Sequence, residues 1–227
     1  MSSEPVYLYA ALLDVLGYRQ LLEEDRKNAS LDFKENLNCA LRIFEELNDA
    51  IFKVQAISDT IIITCTHHSH FLEFLDILKR VFLSFLSNNL FVRGAVAYSR
   101  HYQNNHMTYS HAVARAYELE QHFAVYPRIV IDENIIEMYK VGSDLTDIWS
   151  RGIICRENGS YFLEIVDPYN WDEVYLLASR LFKSNENLLK KNEAAYMKHL
   201  RFQWYLLSSQ FAPETAKPYI PQIARFP

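Results

Sequence analysis

Two aspartates stand in this sequence where a carboxylate is costly. Asp14 closes an apolar run at residues 6–13, and Asp59 interrupts the run AISDTIII at residues 56–63. Consecutive isoleucines are typical of an inner strand, so a carboxylate beside them needs water, a cation or a metal ion. If neighbouring strands brought both carboxylates to one sheet edge, a divalent cation would relieve their repulsion. The pair indicates a Mg²⁺ or Mn²⁺ site, or else a helix cap and an ordinary turn residue.

The turn after Asp14 is suited to binding an anion. It leads from the apolar run into a polar helical start through Val15, Leu16, Gly17 and Tyr18. Free main-chain N–H groups at the start of a helix bind phosphates well. Cations on the two aspartates, combined with this turn, predict a nucleoside triphosphate as the ligand.

The spacing of hydrophobic residues predicts the strands and helices that must position these residues. Apolar and β-branched runs predict strands at residues 6–13, 54–57, 60–66, 91–98 and 127–131. Amphipathic spacing predicts helices at 31–52, 71–86 and 110–122, with Ser110 as an N-cap, and a polar loop at 101–108. Gly94 inside a strand indicates a bulge or a close backbone approach.

The C-terminal part of the chain continues the same mixture of elements. A hairpin is predicted around Asn158 and Gly159, and two helices across residues 171–207. The mixed order predicts an α/β (α+β) fold, a two-layer sandwich of a mainly antiparallel sheet with helices. The scarcity of glycine and proline predicts a single domain over residues 1–227, with a core at about 5–135 and a C-terminal hairpin and helical extension at 150–227.

The amino-acid composition limits the kinds of function that this protein can have. The net charge of -5, with scattered Lys and Arg, argues against a nucleic-acid partner. Three cysteines without a CxxC pair favour free thiols in a reducing cytoplasm. The N-terminal apolar run lacks a basic start and is too short to span a bilayer, so we expect a cytoplasmic protein without direct membrane contact.

Four motifs occur in one order from about residue 6 to residue 132, over half of the chain. They read ALLDVLGYRQLL, ISDTIII, VRGAVAYS and AYELEQHFAVYPRIVID. Together they resemble the catalytic domain of class III nucleotidyl cyclases, and more narrowly the bacterial pyrimidine nucleotide cyclases of Pycsar antiphage defence. The C-terminal stretch YMKHLRFQWYLLSSQ is similar to the same subfamily. The resemblance implies a ferredoxin-like cyclase core followed by C-terminal helices.

The resemblance also implies roles for individual residues. Asp14 and Asp59 match the aspartates that hold two divalent cations, Mn²⁺ or Mg²⁺, in this family. One cation would lower the pKa of the ribose 3′-hydroxyl, and the other would hold the triphosphate oxygens. Arg93 matches a strand arginine that contacts the triphosphate, which suits a planar fork of donors. Its alternative is an arginine in a surface salt bridge on an edge strand.

Two positions bear on the base of the nucleotide. Gln55 matches a position that is lysine in adenylyl and glutamate in guanylyl cyclases, and its amide both donates and accepts. Met107 lies near the position of an aspartate that accepts from adenine. Both substitutions argue against ATP and GTP, and they favour UTP converted to cyclic UMP, with CTP converted to cyclic CMP as the alternative. Gln55 could instead be a polar strand-edge residue.

The sequence departs from the wider family on one helix. Purine cyclases carry Asn and, four residues on, Arg, where this chain has Ala114 and Glu118. Arg115 is the first candidate to supply the missing positive charge. The other candidates are Arg100 and Arg128. Tyr117 could stack on the ribose or base, or be a core aromatic.

The resemblance further implies a homodimer whose sites lie at the interface and whose cyclic product activates a separate effector protein. The chemistry would then serve as a second-messenger signal in antiphage defence. Two alternatives stay open from the residues alone. The chain could be a non-catalytic nucleotide sensor of the same fold, or a structural α/β dimer without a ligand.

Overall fold

The computed structural model describes residues 6–104, 107–141 and 152–220. The strands in chain order are β1 (Val6–Val15), β2 (Phe52–Ile57), β3 (Thr60–Cys65), β4 (Val92–Gln103), β5 (Thr108–Ser110), β6 (Ile129–Ile131), β7 (Ile154–Glu157) and β8 (Ser160–Leu163). The helices are α1 (Tyr18–Asn28), α2 (Asp32–Leu41), α3 (Phe71–Ser87), α4 (His111–Phe123), α5 (Glu133–Val141), α6 (Trp171–Leu189) and α7 (Glu193–Ser208), with 3₁₀ turns at Arg42–Glu46 and His68–His70.

These strands form one mixed sheet in the order β2-β3-β1-β4-β6-β8-β7, and β5 pairs with the far end of β4. The long central strands β1 and β4 run antiparallel, and β4 with β6 is the parallel pair among the described strands. A parallel pair needs a crossover, which α4 provides between the β4–β5 hairpin and β6. The predicted α/β class with a mainly antiparallel sheet is confirmed.

The two faces of β1 bury different partners, as alternation along a strand requires. Tyr9, Ala11 and Leu13 face the large core cluster that contains the apolar side of α3. Leu8 and Leu12 face the other way, where α4 lies on the sheet through alanines at positions 112 and 116. In the described part of the chain, α4 therefore packs on this second face, and its small side chains let the helix approach the sheet closely.

The C-terminal helices share the large core instead of forming their own. Phe202 of α7 packs against Phe82 of α3 and Phe91 before β4, with ring centroids 5.7 Å and 5.0 Å apart. The indole N–H of Trp171 donates to the Leu206 carbonyl at 2.9 Å and ties α6 to α7. In the described ranges, no helix has the length and apolarity needed to cross a bilayer.

Several predicted elements are confirmed. The chain turns at Ser58 and Asp59 between β2 and β3, and it turns again at Asn158 and Gly159 between β7 and β8. The Ser110 hydroxyl accepts the Val113 N–H at 3.1 Å, as an N-cap should.

Two predictions of local structure are wrong, and one helix was missed. The helix expected at 31–52 ends at Leu41 and continues as a 3₁₀ turn over Arg42–Glu46. The Asn48 side chain then accepts the Ala50 N–H at 3.0 Å and stabilises a turn before β2. The loop expected at 101–108 is partly strand, because His101 continues the ladder of β4 with Val6 and also pairs with Ser110. Helix α5 was not predicted.

Candidate functional site

The end of β1 meets the tip of the β2–β3 hairpin. Asp14 is the register partner of Thr60, and the Val15 N–H donates to the Asp59 carbonyl at 2.9 Å. Ser58 has a φ of 59°, the left-handed conformation that closes this tight turn. The side chains of Asp14 and Asp59 are both half-buried. The structure therefore brings the two predicted metal-binding aspartates to neighbouring backbone positions, although 45 residues separate them in the chain.

Arg93 is the register partner of Asp14 on the other side of β1. Its Nε lies 2.9 Å from Asp14 Oδ2, and its Nη2 lies 2.7 Å from Glu120 Oε1. The arginine side chain is 17% exposed and stands on a central strand, so the alternative of a surface pair on an edge strand does not apply. Arg93 links the end of β1 to helix α4.

Glu120 is a site residue that the sequence reasoning missed. It is buried on α4, and burial raises the pKa of its carboxyl above the ordinary value, while the charge of Arg93 acts against this shift. A signal was present, since Glu120 falls four residues after Ala116 and eight after Ala112, on the face that packs against the sheet. A glutamate on this buried helix face needs a positively charged side chain on the sheet beneath it.

The turn after β1 is only partly free for an anion. Gly17 has a φ of 80° and precedes the first residue of α1. The N–H groups of Val15 and Leu16 donate to the carbonyls of Asp59 and Phe91, both at 2.9 Å. The prediction that the N–H groups of Val15 to Tyr18 cradle phosphates is therefore wrong for Val15 and Leu16. In the first turn of α1, the Leu21 N–H donates to the Gly17 carbonyl at 3.0 Å, so the N–H groups that a helix start leaves open to an anion are those of Tyr18, Arg19 and Gln20.

Lys198 of α7 belongs to the same cluster of charges. Burial lowers the pKa of its ammonium, the positive charge of Arg93 lowers it further, and Asp14 and Glu120 act in the opposite direction. Lys198 also lines a cleft of about 190 Å³ with Leu16 and Gly17. The sequence reasoning gave Lys198 no role, although the residue lies in the quoted C-terminal stretch YMKHLRFQWYLLSSQ.

A second cleft, of about 440 Å³, lies on the α4 face of the sheet. Gln55 and Tyr117 line it together with Ala114, which brings two of the predicted base-binding residues together. Tyr117 is 54% exposed, so the alternative of a core aromatic does not apply. Met107 is exposed and stands outside the lining of this cleft.

Arg115 forms its ion pair away from the candidate site. Its Nε lies 3.0 Å from Asp132 Oδ2 and its Nη2 lies 3.2 Å from Asp132 Oδ1, a bidentate pair with a buried carboxylate. Arg115 also approaches Glu118 on its own helix. The structure gives Arg115 a partner at the end of β6 and does not pair it with the aspartates of the candidate site.

The two other candidate arginines have partners as well. Arg100 donates to the Tyr7 hydroxyl at 3.1 Å. Arg128 donates to the Phe123 carbonyl and lies against the ring of Phe162. None of the three arginines on the sequence-based shortlist has a recorded contact with Asp14 or Asp59 among the described residues.

Replacing Arg115 by methionine is expected to lower the free energy of unfolding by about 1–2 kcal/mol, because the buried Asp132 carboxylate would lose its partner while solvent screens part of the loss. Urea unfolding measures the change. Arg26→Met is the matched control, since Arg26 pairs with Glu23 on the exposed side of α1 and its removal should cause no measurable change. Equal stability of the two variants would contradict a structural role for Arg115.

The donor set at Asp14 and Asp59 fits a hard divalent cation. Carboxylate oxygens are the protein ligands that Mg²⁺ and Mn²⁺ prefer, and one or two of them suffice when water and phosphate oxygens complete the shell. In the part of the chain that the structure describes, no group of three or more His, Cys, Asp or Glu could hold a metal alone. Any cation here would therefore depend on oxygens from a bound substrate or water.

Comparisons with known proteins give distant structural similarity and no sequence family. No family model matches the chain, and no curated protein matches it. The chain is similar to the guanylyl cyclase Cya2, with a TM-score of 0.45 and 11% identity over 75% of this chain and 98% of that one.

Two further solved structures are similar to the same degree. The monomeric guanylyl cyclase domain of the RhoGC fusion protein from the aquatic fungus Blastocladiella emersonii has a TM-score of 0.43 and 12% identity over 72% of this chain and 98% of that one. A bacterial light-regulated adenylyl cyclase has a TM-score of 0.41 and 12% identity, over 78% and 99%. Likeness this distant carries no information about site residues or substrate.

Proposed function

We propose that this protein is a divalent-cation-dependent nucleotide cyclase that converts UTP to cyclic UMP and pyrophosphate. The observation that carries the proposal is the meeting of Asp14 with Asp59, at the end of β1 and the tip of the β2–β3 hairpin. The start of α1, a natural anion site, follows directly after Gly17. A pair of carboxylates beside such a turn is suited to a cation-bound triphosphate.

Asp14 and Asp59 would hold two cations, Mn²⁺ or Mg²⁺. When bound, such cations supply charge that favours ionisation of the ribose 3′-hydroxyl and neutralises the triphosphate. The 3′-oxygen would attack the α-phosphorus in line, the bond to the bridging oxygen of the β-phosphate would break, and the hydroxyl proton would pass to solvent. The protein's own task is then mainly to position these groups.

Arg93 would bind the polyphosphate. It now shares its guanidinium between Asp14 and Glu120, at 2.9 Å and 2.7 Å. A cation on Asp14 would compete with Arg93 for that carboxylate and free the Nε group to donate to a phosphate oxygen. Glu120 would keep its hold on Nη2 and so fix the direction of the guanidinium.

The cleft on the α4 face supports a pyrimidine base. Gln55 presents an uncharged amide that can donate to and accept from the edge of uracil or cytosine, and Tyr117 offers an exposed ring for stacking. UTP is the proposed substrate and CTP the alternative. Met107 would contribute only if its exposed segment moved toward the base.

The active form would be a homodimer with its sites at the interface, as the resemblance of the sequence motifs to class III nucleotidyl cyclases implies. The cyclic product would act as a second messenger on a separate effector in antiphage defence. A catalytic role for Arg115 would require its bidentate pair with Asp132 to open.

A nucleotide sensor without turnover is the second candidate, because Ala114 and Glu118 offer no positive charge and Asp14 is already paired. The test is incubation of the purified protein with each of ATP, GTP, UTP and CTP, with Mn²⁺ and with Mg²⁺, followed by product mass measurement. We expect cyclic UMP and pyrophosphate in equal amounts. Tight UTP binding without product would favour the sensor, and absence of binding would favour a structural dimer.

A further inference from the structure

The proposed site is short of positive charge for a ligand as anionic as a nucleoside triphosphate. Arg93 is the cation paired directly with the site, through Asp14 and Glu120. On helix α4, Ala114 and Glu118 add no positive charge to the site. A further cation has to come from another element, and it should approach from the side of the Gly17 turn, where the phosphates would lie.

We propose that Lys198 of helix α7 binds the polyphosphate of the nucleotide, so that the C-terminal extension completes the active site. This inference rests on the proposed function and assigns a role to a residue outside the four motifs of residues 6–132, in the C-terminal stretch YMKHLRFQWYLLSSQ. Lys198 lines the same cleft as Leu16 and Gly17, directly beside the start of α1. The site is then assembled from both ends of the chain.

The surrounding charges favour this role. The groups that act electrostatically on the Lys198 ammonium are Arg93 on β4, Asp14 on β1 and Glu120 on α4. Among the described residues, no carboxylate lies within salt-bridge distance of Lys198, although it is about half-buried. Lys198 and Arg93 repel each other, and an anion bound between them would relieve that repulsion.

The local fold explains why Lys198 reaches the site. Asn192 caps α7, its side chain accepting the Ala195 N–H at 3.1 Å, and so fixes the start of the helix. His199, the next residue after Lys198, is buried with its ring 5.0 Å from that of Phe91, which precedes β4. Phe91 in turn accepts the Leu16 N–H through its carbonyl. The helix is thus anchored at the end of the sheet where β1 gives way to α1.

The test is binding of inorganic tripolyphosphate with Mn²⁺ to the full chain, measured by calorimetry for wild type, Lys198→Met, Lys198→Arg and Lys191→Met. Tripolyphosphate is used because it has no base or ribose. We expect Lys198→Met to weaken binding about 10- to 100-fold, as loss of one charge-assisted contact should. Lys198→Arg should restore most of the affinity. Lys191→Met, which removes an exposed lysine just before α7, should bind as wild type does.

Steady-state kinetics of the wild type and the Lys198→Met variant with UTP test the role of Lys198 separately from the proposed cyclase activity. We expect Lys198→Met to raise KM more than it lowers kcat, with an unchanged thermal unfolding midpoint. Wild-type turnover with an unaffected Lys198→Met variant would overturn the role of Lys198 and leave the cyclase proposal standing. Binding of tripolyphosphate that depends on Lys198, without turnover of any nucleotide, would support the polyphosphate site and overturn the cyclase. Equal affinity of the two methionine variants would overturn the inference.

Discussion

Replacing Asp59 by asparagine is expected to reduce turnover of the nucleotide by at least about a thousandfold, because one of the two cation-binding carboxylates would lose its charge. Asparagine suits the turn as well as aspartate does. The Asp59 contact that joins the hairpin to β1 uses its main-chain carbonyl, which accepts the Val15 N–H at 2.9 Å and survives the change. The variant should therefore fold normally and bind Mn²⁺ with UTP far more weakly.

The measurement is product formation under saturating UTP and Mn²⁺, with the thermal unfolding midpoint recorded beside it. Asp49→Asn is the matched control, because it removes an exposed carboxylate from the turn before β2. The control should keep full turnover. An Asp59→Asn variant with wild-type activity would remove the basis of the cyclase proposal. Asp14→Asn is less informative, since it also breaks the ion pair with Arg93.

Replacing Gly94 by alanine is expected to lower the free energy of unfolding by about 3 kcal/mol or more, or to prevent folding. A Cβ at this position would lie 2.3 Å from the Leu12 carbonyl oxygen and 2.5 Å from the Leu13 Cδ2. The first contact is with backbone, so β1 and β4 would have to move apart. Because Arg93 precedes Gly94, the same change should also displace the arginine from Asp14 and Glu120.

Denaturant unfolding checks this prediction, with Gly159→Ala as the control. Gly159 has a φ of 79° in the β7–β8 turn, and nothing lies within 4 Å of an added Cβ there. The control should lose only the cost of a left-handed alanine, about 1–2 kcal/mol. If Gly94→Ala were no less stable than Gly159→Ala, the close approach of β1 and β4 would not be a determinant of the fold.

The sequence predicts those parts of the fold that depend on local chemistry. Turn residues at Ser58 and Asn158 and the Ser110 cap each stabilise a structure through neighbours in the chain, and all three are confirmed. The meeting of Asp14 with the hairpin tip is expected only if neighbouring strands bring both carboxylates to one sheet edge, and the register of β1 with β3 fulfils that condition.

The rest depends on contacts between distant segments. His101 becomes strand because Val6 and Ser110 flank it in space, and nothing in the stretch 101–108 itself favours that outcome. From the sequence, Arg115 is a candidate to supply positive charge to the nucleotide site, but in the structure its guanidinium donates two hydrogen bonds to the Asp132 carboxylate. In the same way, Glu120 gains its place at the site only when α4 packs on the sheet.

The packing of α7 limits how far this protein can be shortened. A fragment ending at Val141 would keep the four motifs of residues 6–132, but it would expose the rings of Phe82 and Phe91, which now lie against Phe202. Such a fragment would expose an aggregation-prone apolar surface next to the turn at Gly17, where the nucleotide is proposed to bind. Biochemical work on a chain shortened to these motifs would therefore be done on a destabilised protein. Mutant libraries that aim to change the substrate should include positions in α7.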